Sequence, residues 1–339
     1  PIITQLDAAC RAPEYFFICE LFARSLNMVQ ICKCGARPSI IGRSPMNTKD
    51  SQQQSPIAGY ETAVSRFNHL AQEEAGRVHD AGASHLLVHG ARTPRAFVLL
   101  HGTTNSPTQW LEFGRMLFDL RHNVFIPRAP YHGLRSRRAG ELSLLTPSDL
   151  RSYAADAVDI GCGLGDELVL IGASGGATIA AWTAQNRHEI GRTLLVVPFF
   201  GFYGLPDRLS FQIMNLFGRL PNLTFTRPGE KRRPWAYRGQ STHGLVAYLA
   251  LAEDVLDDAR QGNAPAGKTI IITTSSDRLA NNDTTARLAA MWLRSGVEVV
   301  RYDFARELQV AHNSADPASD PLKRQQMYQT ILALLDERT

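Results

Sequence analysis

The chain has 339 residues, of which 44% are hydrophobic and 20% charged, and its formal net charge is +4 at pH 7. These values are typical of a folded globular protein with a large core, and they argue against a disordered chain. A net charge this small also argues against nucleic acid as the partner, and no apolar run reaches the ~18 residues that a membrane-spanning helix needs.

The N-terminal segment differs from the rest of the sequence. Residues 1–45 show no clear hydrophobic period, and a polar stretch over 46–55 follows. Glu14 and Glu20 interrupt the one apolar stretch there, and no basic segment precedes it as in a secretory signal. We therefore predict an N-terminal extension over 1–55, poorly ordered or peripheral, and a main domain over 56–339 in a cytoplasmic protein.

The cysteines do not predict a metal site. Four of the five lie in the predicted extension, at positions 10, 19, 32 and 34, and Cys162 stands alone. The spacing of Cys32 and Cys34 is too short for a usual pair of zinc ligands, and no second close pair exists. We expect reduced thiols without a structural role.

From residue 60 onward, the sequence alternates between helical and strand patterns. Apolar and small residues recur at helical spacing over 60–78. Short apolar runs predict strands at 86–88, 96–100, 123–126, 167–171, 193–197, 269–272 and 297–302, with helices such as 149–160 and 284–294 between most of them. Buried strands that alternate with amphipathic helices predict an α/β fold with a mostly parallel sheet covered by helices on both faces.

The second predicted strand leads into His101-Gly102-Thr103. Gly102 lets this loop approach a reacting carbonyl closely, and the Thr103 amide is the best-placed N–H for stabilising an oxyanion. His101 lies at the strand end, where we expect it to support the loop by hydrogen bonding. His132, in the 130–133 loop after the next strand, is interpreted as a residue that shapes its own loop.

A glycine-rich stretch over 161–165 precedes the strand at 167–171. A dinucleotide-binding loop must follow a strand, because the pyrophosphate binds at the N-terminus of the next helix. The stretch is therefore interpreted as a helix end plus a turn. Neither an organic cofactor nor a metal is predicted.

The strand at 167–171 runs directly into Gly172-Ala173-Ser174-Gly175-Gly176, and a helical pattern follows. The pattern G-x-S-x-G between a strand and a helix presents a nucleophilic serine on a sharp turn, for which Gly172 and Gly176 leave room. The Gly175 amide points at the reacting centre from the positive end of the helix. We predict Ser174 as the nucleophile, with a structural glycine-rich turn as the alternative.

The interval 199–267 breaks the alternation of strands and helices. It is rich in aromatic residues mixed with Gly and Pro, and it is too long for an ordinary connection between two core strands. We predict an inserted cap or lid at about 199–267. Its aromatic side chains either line a pocket for an apolar group or pack the cap itself.

A serine nucleophile needs an imidazole that a carboxylate orients. Asp277 follows the strand at 269–272 and therefore lies at the carboxyl edge of the sheet. Asp283 is its rival, although it precedes a helix, where an N-cap is the ordinary role of Asp. His312 follows the last strand on a loop that can reach over the serine, whereas His188 closes a helix and His243 lies in the cap. We predict that Asp277 and His312 complete the site.

Together these residues resemble the microbial carboxylesterase, lipase and monoacylglycerol lipase branch of the α/β-hydrolase superfamily, over about 84–335. The resemblance depends on the His101-Gly102 loop, the 130–133 loop, the serine turn, and Asp277 and His312 in family order. It implies the α/β-hydrolase fold. Thr103 stands where such enzymes often have a bulky apolar residue, which leaves the shape of the acyl pocket open, and residues 1–45 have no counterpart.

The residues and the resemblance predict a serine hydrolase that cleaves carboxylic esters, with short- to medium-chain acyl or small apolar groups, through an acyl-enzyme. The expected partner is a small-molecule ester. An amidase, a thioesterase, a C–C hydrolase or an acyltransferase would use the same triad, and a slow receptor or binding protein is the alternative from another class. The sequence leaves the native substrate, the mobility of the lid and the oligomeric state open.

Overall fold

The computed structural model describes residues 59–136, 138–225 and 233–336. The predicted N-terminal extension, residues 1–55, and its four cysteines lie outside these ranges. Within them, the strands are β1 (His85–Leu87), β2 (Thr93–Leu100), β3 (Asn123–Ile126), β4 (Gly165–Ala173), β5 (Ile190–Val196), β6 (Thr224–Phe225), β7 (Gln240–Ser241), β8 (Lys268–Thr274) and β9 (Val299–Phe304). The helices are α1 (Tyr60–Glu74), α2 (Thr108–Asp119), α3 (Pro147–Leu164), α4 (Gly175–Asn186), α5 (Asp207–Phe217), α6 (Thr242–Arg260), α7 (Asn282–Arg294) and α8 (Pro321–Leu334).

The central sheet has seven strands in the order β1-β3-β2-β4-β5-β8-β9. Only β1 is antiparallel to its neighbour, and the other six strands run parallel. The carboxyl ends of the parallel strands therefore lie along one edge of the sheet, where the loops after β2, β4 and β8 meet. The predicted mostly parallel α/β sheet is confirmed.

Helices cover both faces of this sheet because successive strand side chains point to opposite sides. On one face, Phe97 and Leu99 of β2 pack with Trp110 of α2 and Tyr328 of α8 in the main hydrophobic cluster. On the other face, Val98 of β2 lies against α3, close to Gly161. Because both faces of β2 are covered, its sequence is a continuous apolar run and does not alternate between polar and apolar residues.

Helix α3 corrects the prediction for the glycine-rich stretch at 161–165. It continues through Leu164 and joins β4 directly, without the predicted turn. The glycines serve packing: a Cβ on Gly163 would lie 2.9 Å from the carbonyl oxygen of Gly59, and one on Gly165 would lie 2.6 Å from the amide nitrogen of Ala96. The predicted helix end is confirmed at Leu164, the predicted turn is wrong, and close contacts explain why glycine occupies these positions.

The predicted cap interval, 199–267, contains α5, the two-stranded pair of β6 and β7, and α6. Helix α6 packs on α4 and α5 packs on α6, so that the last part of the interval belongs to the helices that cover the sheet. Aromatic side chains of the interval, namely Phe199, Phe200, Phe202, Phe211, Phe217, Tyr237 and Tyr248, are buried. These side chains pack the interior, and the role of the interval as a lid stays a prediction.

The described residues also bear on membranes, metals and thiols. No helix among them is both long and apolar enough to cross a membrane. In the same ranges, no three His, Cys, Asp or Glu side chains are grouped as a metal site would require. Cys162 is a free thiol, and burial raises its pKa to about 11, so that the thiol is protonated at neutral pH.

Candidate active site

Ser174 lies in the tight turn between β4 and α4. Its φ of 53° and ψ of −116° place it in the left-handed region, which is strained for a residue with a side chain. A Cβ on Gly172 would lie 2.2 Å from the carbonyl oxygen of Gly176, and one on Gly176 would lie 2.3 Å from that of Leu100. Both glycines are therefore required for this turn, which lifts the Ser174 side chain clear of the sheet edge.

The structure brings Ser174, His312 and Asp277 together. Nε2 of His312 lies 2.8 Å from Oγ of Ser174, and Nδ1 of His312 lies 2.6 Å from Oδ2 of Asp277. The Asp277 side chain is fully buried, whereas that of His312 is 15% exposed. The serine hydroxyl thus faces a ring nitrogen whose opposite nitrogen is held by a carboxylate.

The Asp277 carboxylate is held by backbone amides as well as by the imidazole. Its Oδ1 accepts hydrogen bonds from the amides of Leu279 at 2.7 Å and Ala280 at 3.2 Å, which leaves Oδ2 for His312. Burial raises the pKa of this carboxyl, but the charge and hydrogen bond of His312 and the two amides together hold the pKa below its ordinary value. Asp277 is therefore ionised and faces one side of the imidazole.

Neither His243 nor Asp283, two other candidates for base and acid, forms a hydrogen bond with Ser174 or His312 in the part of the chain that the structure describes. His243 is at the start of α6, where its Nε2 lies 2.9 Å from the carbonyl oxygen of Leu220. Asp283 lies in the first turn of α7, and the N-cap of that helix is Asn281, whose side chain accepts from the amides of Asp283 and Thr284. The N-cap role suggested for Asp283 is therefore wrong by two residues.

A buried ion pair anchors the loop that carries His312. Nη1 of Arg233 lies 2.6 Å from Oδ2 of Asp316, and the two side chains are 11% and 0% exposed. Within the loop, the Ala311 amide donates to Oγ of Ser314 at 2.9 Å. Because Arg233 comes from the predicted cap interval, this contact ties that interval to the His312 loop.

Replacing Arg233 by methionine is expected to lower the free energy of unfolding by about 3–5 kcal/mol, because the Asp316 carboxylate would stay buried without its counter-charge. Urea unfolding followed by circular dichroism measures the difference. Arg238→Met is the matched control, since Arg238 is exposed and has no ion pair among the described residues. Equal unfolding midpoints for the two variants would contradict the anchoring role.

The loop after β2 is fixed around the Thr103 amide. Gln109 accepts a hydrogen bond from the Gly102 amide through Oε1 at 2.8 Å, and the Asn105 amide donates to the Gly102 carbonyl at 3.0 Å. The amides of Thr103 and Gly175 have no hydrogen-bond partner among the residues that the structure describes. Two N–H groups, one on the loop after β2 and one at the start of α4, are thus available to an anion.

Two buried imidazoles shape the loops beside Ser174. Nδ1 of His101 lies 3.0 Å from the carbonyl oxygen of Gly102, and its Nε2 accepts from the Ala129 amide at 3.0 Å. His132 bridges two loops, because its Nε2 lies 2.8 Å from the carbonyl oxygen of Thr103 and its Nδ1 lies 2.7 Å from that of Pro130. Burial is the largest cause that lowers the pKa of both imidazoles.

The lowered pKa values of His101 and His132 make stability depend on pH. Below about pH 6.5, these two imidazoles bind more protons in the unfolded chain than in the folded one. Their contribution to the free energy of unfolding is therefore fully present above that pH and is lost as the pH falls. The urea midpoint is expected to be lower at pH 5.5 than at pH 7.5. His69→Gln is the control: it removes an exposed imidazole and should leave this pH dependence unchanged. Equal urea midpoints of the wild-type protein at pH 5.5 and pH 7.5 would contradict the prediction.

Sequence patterns did not indicate two polar contacts of the loop after β2. Gln109 lies buried in the first turn of α2, and Gln240 in β7 donates from Nε2 to Oγ1 of Thr103 at 2.8 Å. Neither residue is part of a recognisable motif. A polar residue among the apolar positions at the start of α2 is the one signal that could have pointed to Gln109.

A model of the alpha/beta hydrolase family matches residues 97–325 of the chain. The protein therefore belongs to the α/β-hydrolase family. Comparison with curated protein sequences gave no match. The matched range contains the second half of β2, the strands β3 through β9, and all of the residues placed at the candidate site.

Solved structures of lipolytic enzymes are similar in fold. One of the metagenome-derived lipolytic enzymes LipS and LipT has a TM-score of 0.58 at 15% identity, over 77% of this chain and 99% of the other. The monoacylglycerol lipase of Paleococcus ferrophilus has a TM-score of 0.56 at 14% identity, over 74% and 97%. A monoglyceride lipase variant from Saccharomyces cerevisiae has a TM-score of 0.51 at 11% identity, over 76% and 92%.

Proposed function

We propose that the protein is a serine hydrolase that cleaves carboxylic esters through an acyl-enzyme. The observation that carries the proposal is the contact of His312 with both partners, at 2.8 Å from Oγ of Ser174 and 2.6 Å from Oδ2 of Asp277. A neutral imidazole with its proton on Nδ1 donates to the carboxylate and leaves Nε2 free to accept a proton.

In the proposed reaction, Oγ of Ser174 attacks the ester carbonyl while Nε2 of His312 takes the hydroxyl proton. The negative charge that forms on the carbonyl oxygen is stabilised by the amides of Thr103 and Gly175. The tetrahedral intermediate then expels the alcohol, which takes the proton from His312 as it leaves. The Ser174 ester remains.

Water completes the cycle by the same route. His312 removes a proton from the water as the water oxygen attacks the acyl-enzyme, and the same proton returns to Oγ of Ser174 when the acid is released. Asp277 stays ionised throughout and stabilises the positive charge on the imidazole. Each step uses only groups of this chain, the ester and water.

We further propose esters with short- to medium-chain acyl or small apolar groups as the substrates. Support comes from the lipolytic enzymes and monoacylglycerol lipases that share the fold. The side chain of Thr103 is smaller than the bulky apolar residue often found there, which favours a wider oxyanion side of the pocket.

Labelling with a fluorophosphonate probe tests the proposal directly. We expect the probe to modify Ser174, identified by mass spectrometry of the labelled peptide, and to leave Ser174→Ala unlabelled. A series of p-nitrophenyl esters from acetate to laurate should then give the highest kcat/KM at short or medium length. Absence of labelling and of ester turnover, or a label at another serine, would contradict the proposal.

The same assays separate the proposal from its alternatives. A binding protein or receptor would release one equivalent of nitrophenol in a burst and then stop, whereas an esterase turns over continuously. Faster cleavage of a matched thioester or amide than of the oxygen ester would assign the site to a thioesterase or an amidase.

A further inference from the structure

The side chain of Thr103 lies against the start of α4, next to the residue that follows Ser174. Its Cγ2 methyl lies 2.4 Å from the position that a Cβ on Gly175 would occupy, so that the side chain packs on the start of α4. On the preceding residue, a Cβ at Gly102 would lie 3.5 Å from Cβ of Ser174. The Thr103 side chain therefore packs beside Gly175, whose amide is the second proposed oxyanion donor, and the residue before Thr103 lies close to Ser174.

The Thr103 hydroxyl has one hydrogen bond in the structure, and it accepts that bond. Nε2 of Gln240 donates to Oγ1 of Thr103 at 2.8 Å, and Oγ1 has no other partner among the described residues. Because Oγ1 accepts the hydrogen bond of the Gln240 amide, the O–H of Thr103 must point elsewhere. A hydroxyl in this position keeps one proton to donate.

Hydrogen bonds of Tyr237, which lies just before β7, hold the contact between Gln240 and Thr103 in place. The Tyr237 amide donates to the carbonyl oxygen of Thr104 at 2.9 Å, and the Tyr237 hydroxyl donates to that of Tyr131 at 2.6 Å. The carbonyl oxygen of Thr103 is itself held by His132 at 2.8 Å. The backbone on both sides of the contact is thus fixed, as a preorganised donor requires.

We propose that the Thr103 hydroxyl is a third donor to the oxyanion, beside the amides of Thr103 and Gly175, and that Gln240 is the positioning residue that turns it toward the reacting carbonyl. The inference rests on the proposed ester hydrolysis. A hydrogen bond to an oxygen that becomes charged strengthens as the charge develops, so that the third donor acts on kcat more than on KM.

Substitutions at Thr103 test the hydroxyl itself. Thr103→Val keeps the shape and the backbone amide but removes the O–H, and we expect kcat for p-nitrophenyl butyrate to fall roughly 10- to 100-fold with KM nearly unchanged. Thr103→Ser retains the hydroxyl and should restore kcat to within about threefold of wild type. Wild-type kcat in Thr103→Val would overturn the proposal.

Substitutions at Gln240 test the positioning. Gln240→Met removes the amide that orients the hydroxyl, and about a tenfold loss of kcat is expected. Gln240→Glu is the sharper variant, because a carboxylate would accept a hydrogen bond from the Thr103 O–H and turn it away from the oxyanion. The kcat of this variant should therefore fall below that of Gln240→Met. Gln212→Met, on the exposed face of α5, is the matched control and should match wild type. Equal kcat in wild type, Gln240→Met and Gln240→Glu would overturn the role of Gln240.

A trifluoromethyl ketone inhibitor separates a catalytic hydroxyl from a structural one. The inhibitor forms a tetrahedral adduct with the serine, and its oxyanion needs the same donors. Its Kd should rise in Thr103→Val by the factor by which kcat/KM falls, with an unchanged melting temperature. An unchanged Kd together with a lowered melting temperature would overturn the proposal, whereas an inactive wild type or an active Ser174→Ala would contradict the proposed function itself.

Discussion

Replacing Ser174 or His312 by alanine is expected to lower kcat for p-nitrophenyl butyrate by about 10⁵- to 10⁶-fold in each case. Without the hydroxyl, no acyl-enzyme forms; without the imidazole, no group within 2.8 Å of Oγ takes its proton. Because the two side chains act in one proton transfer, the double variant should be no slower than either single variant. Steady-state kinetics at saturating ester measures all three.

The controls are alanine substitutions at Ser148 and His69, which are both exposed. These substitutions remove the same chemical groups, a hydroxyl and an imidazole, at positions away from the site. Both should keep wild-type kcat. Single losses that multiply in the double variant would show that Ser174 and His312 act independently, which would contradict a shared proton transfer. Residual activity of Ser174→Ala close to wild type would contradict the nucleophile.

Replacing Asp277 by asparagine is expected to lower kcat by about 10⁴-fold while the protein remains folded. The asparagine Oδ1 would still accept from the amides of Leu279 and Ala280, so that its NH₂ would face Nδ1 of His312. An imidazole that accepts at Nδ1 carries its proton on Nε2, and it then has no lone pair for the Ser174 hydroxyl. The loss therefore appears in kcat.

Asp283→Asn provides the matched control, because it makes the same change in the first turn of α7, outside the hydrogen bonds of the site. Its kcat should equal that of wild type. A decrease of less than tenfold in Asp277→Asn would show that the orientation of the imidazole does not depend on this carboxylate. Thermal unfolding of both variants accompanies the kinetics, so that a loss of folding is distinguished from a loss of turnover.

Local patterns predict much of the sheet and the position of Ser174. Apolar runs such as the one in β4 are fully buried strands, and the glycines at 172 and 176 have neighbours too close for any side chain. The places of Asp277 and His312 follow from the same logic, since the loops after parallel strands meet at one edge. Their pairing was inferred from chain order rather than from any local signal.

Contacts between distant parts of the chain left no pattern in the sequence. Gln240 and Thr103 are 137 residues apart, and Arg233 and Asp316 are 83 apart. Neither pair has a periodicity or a spacing that marks it, because each depends on how the interval after β5 folds back over the sheet edge. The glycines at 161–165 predicted a turn that the structure lacks for a related reason: Gly163 in α3 and Gly165 in β4 reflect close approaches to Gly59 and Ala96, which are tertiary packing.

The residues from Arg233 to Gln240 contact both sides of the site. Arg233 forms an ion pair with Asp316 in the His312 loop, and Gln240 donates a hydrogen bond to Thr103 in the loop after β2. Local melting of this short stretch would loosen the His312 loop and the loop of the proposed oxyanion donor Thr103 in one event, while the sheet beneath stays intact. On heating, activity should therefore be lost as a single step at a temperature below that of global unfolding.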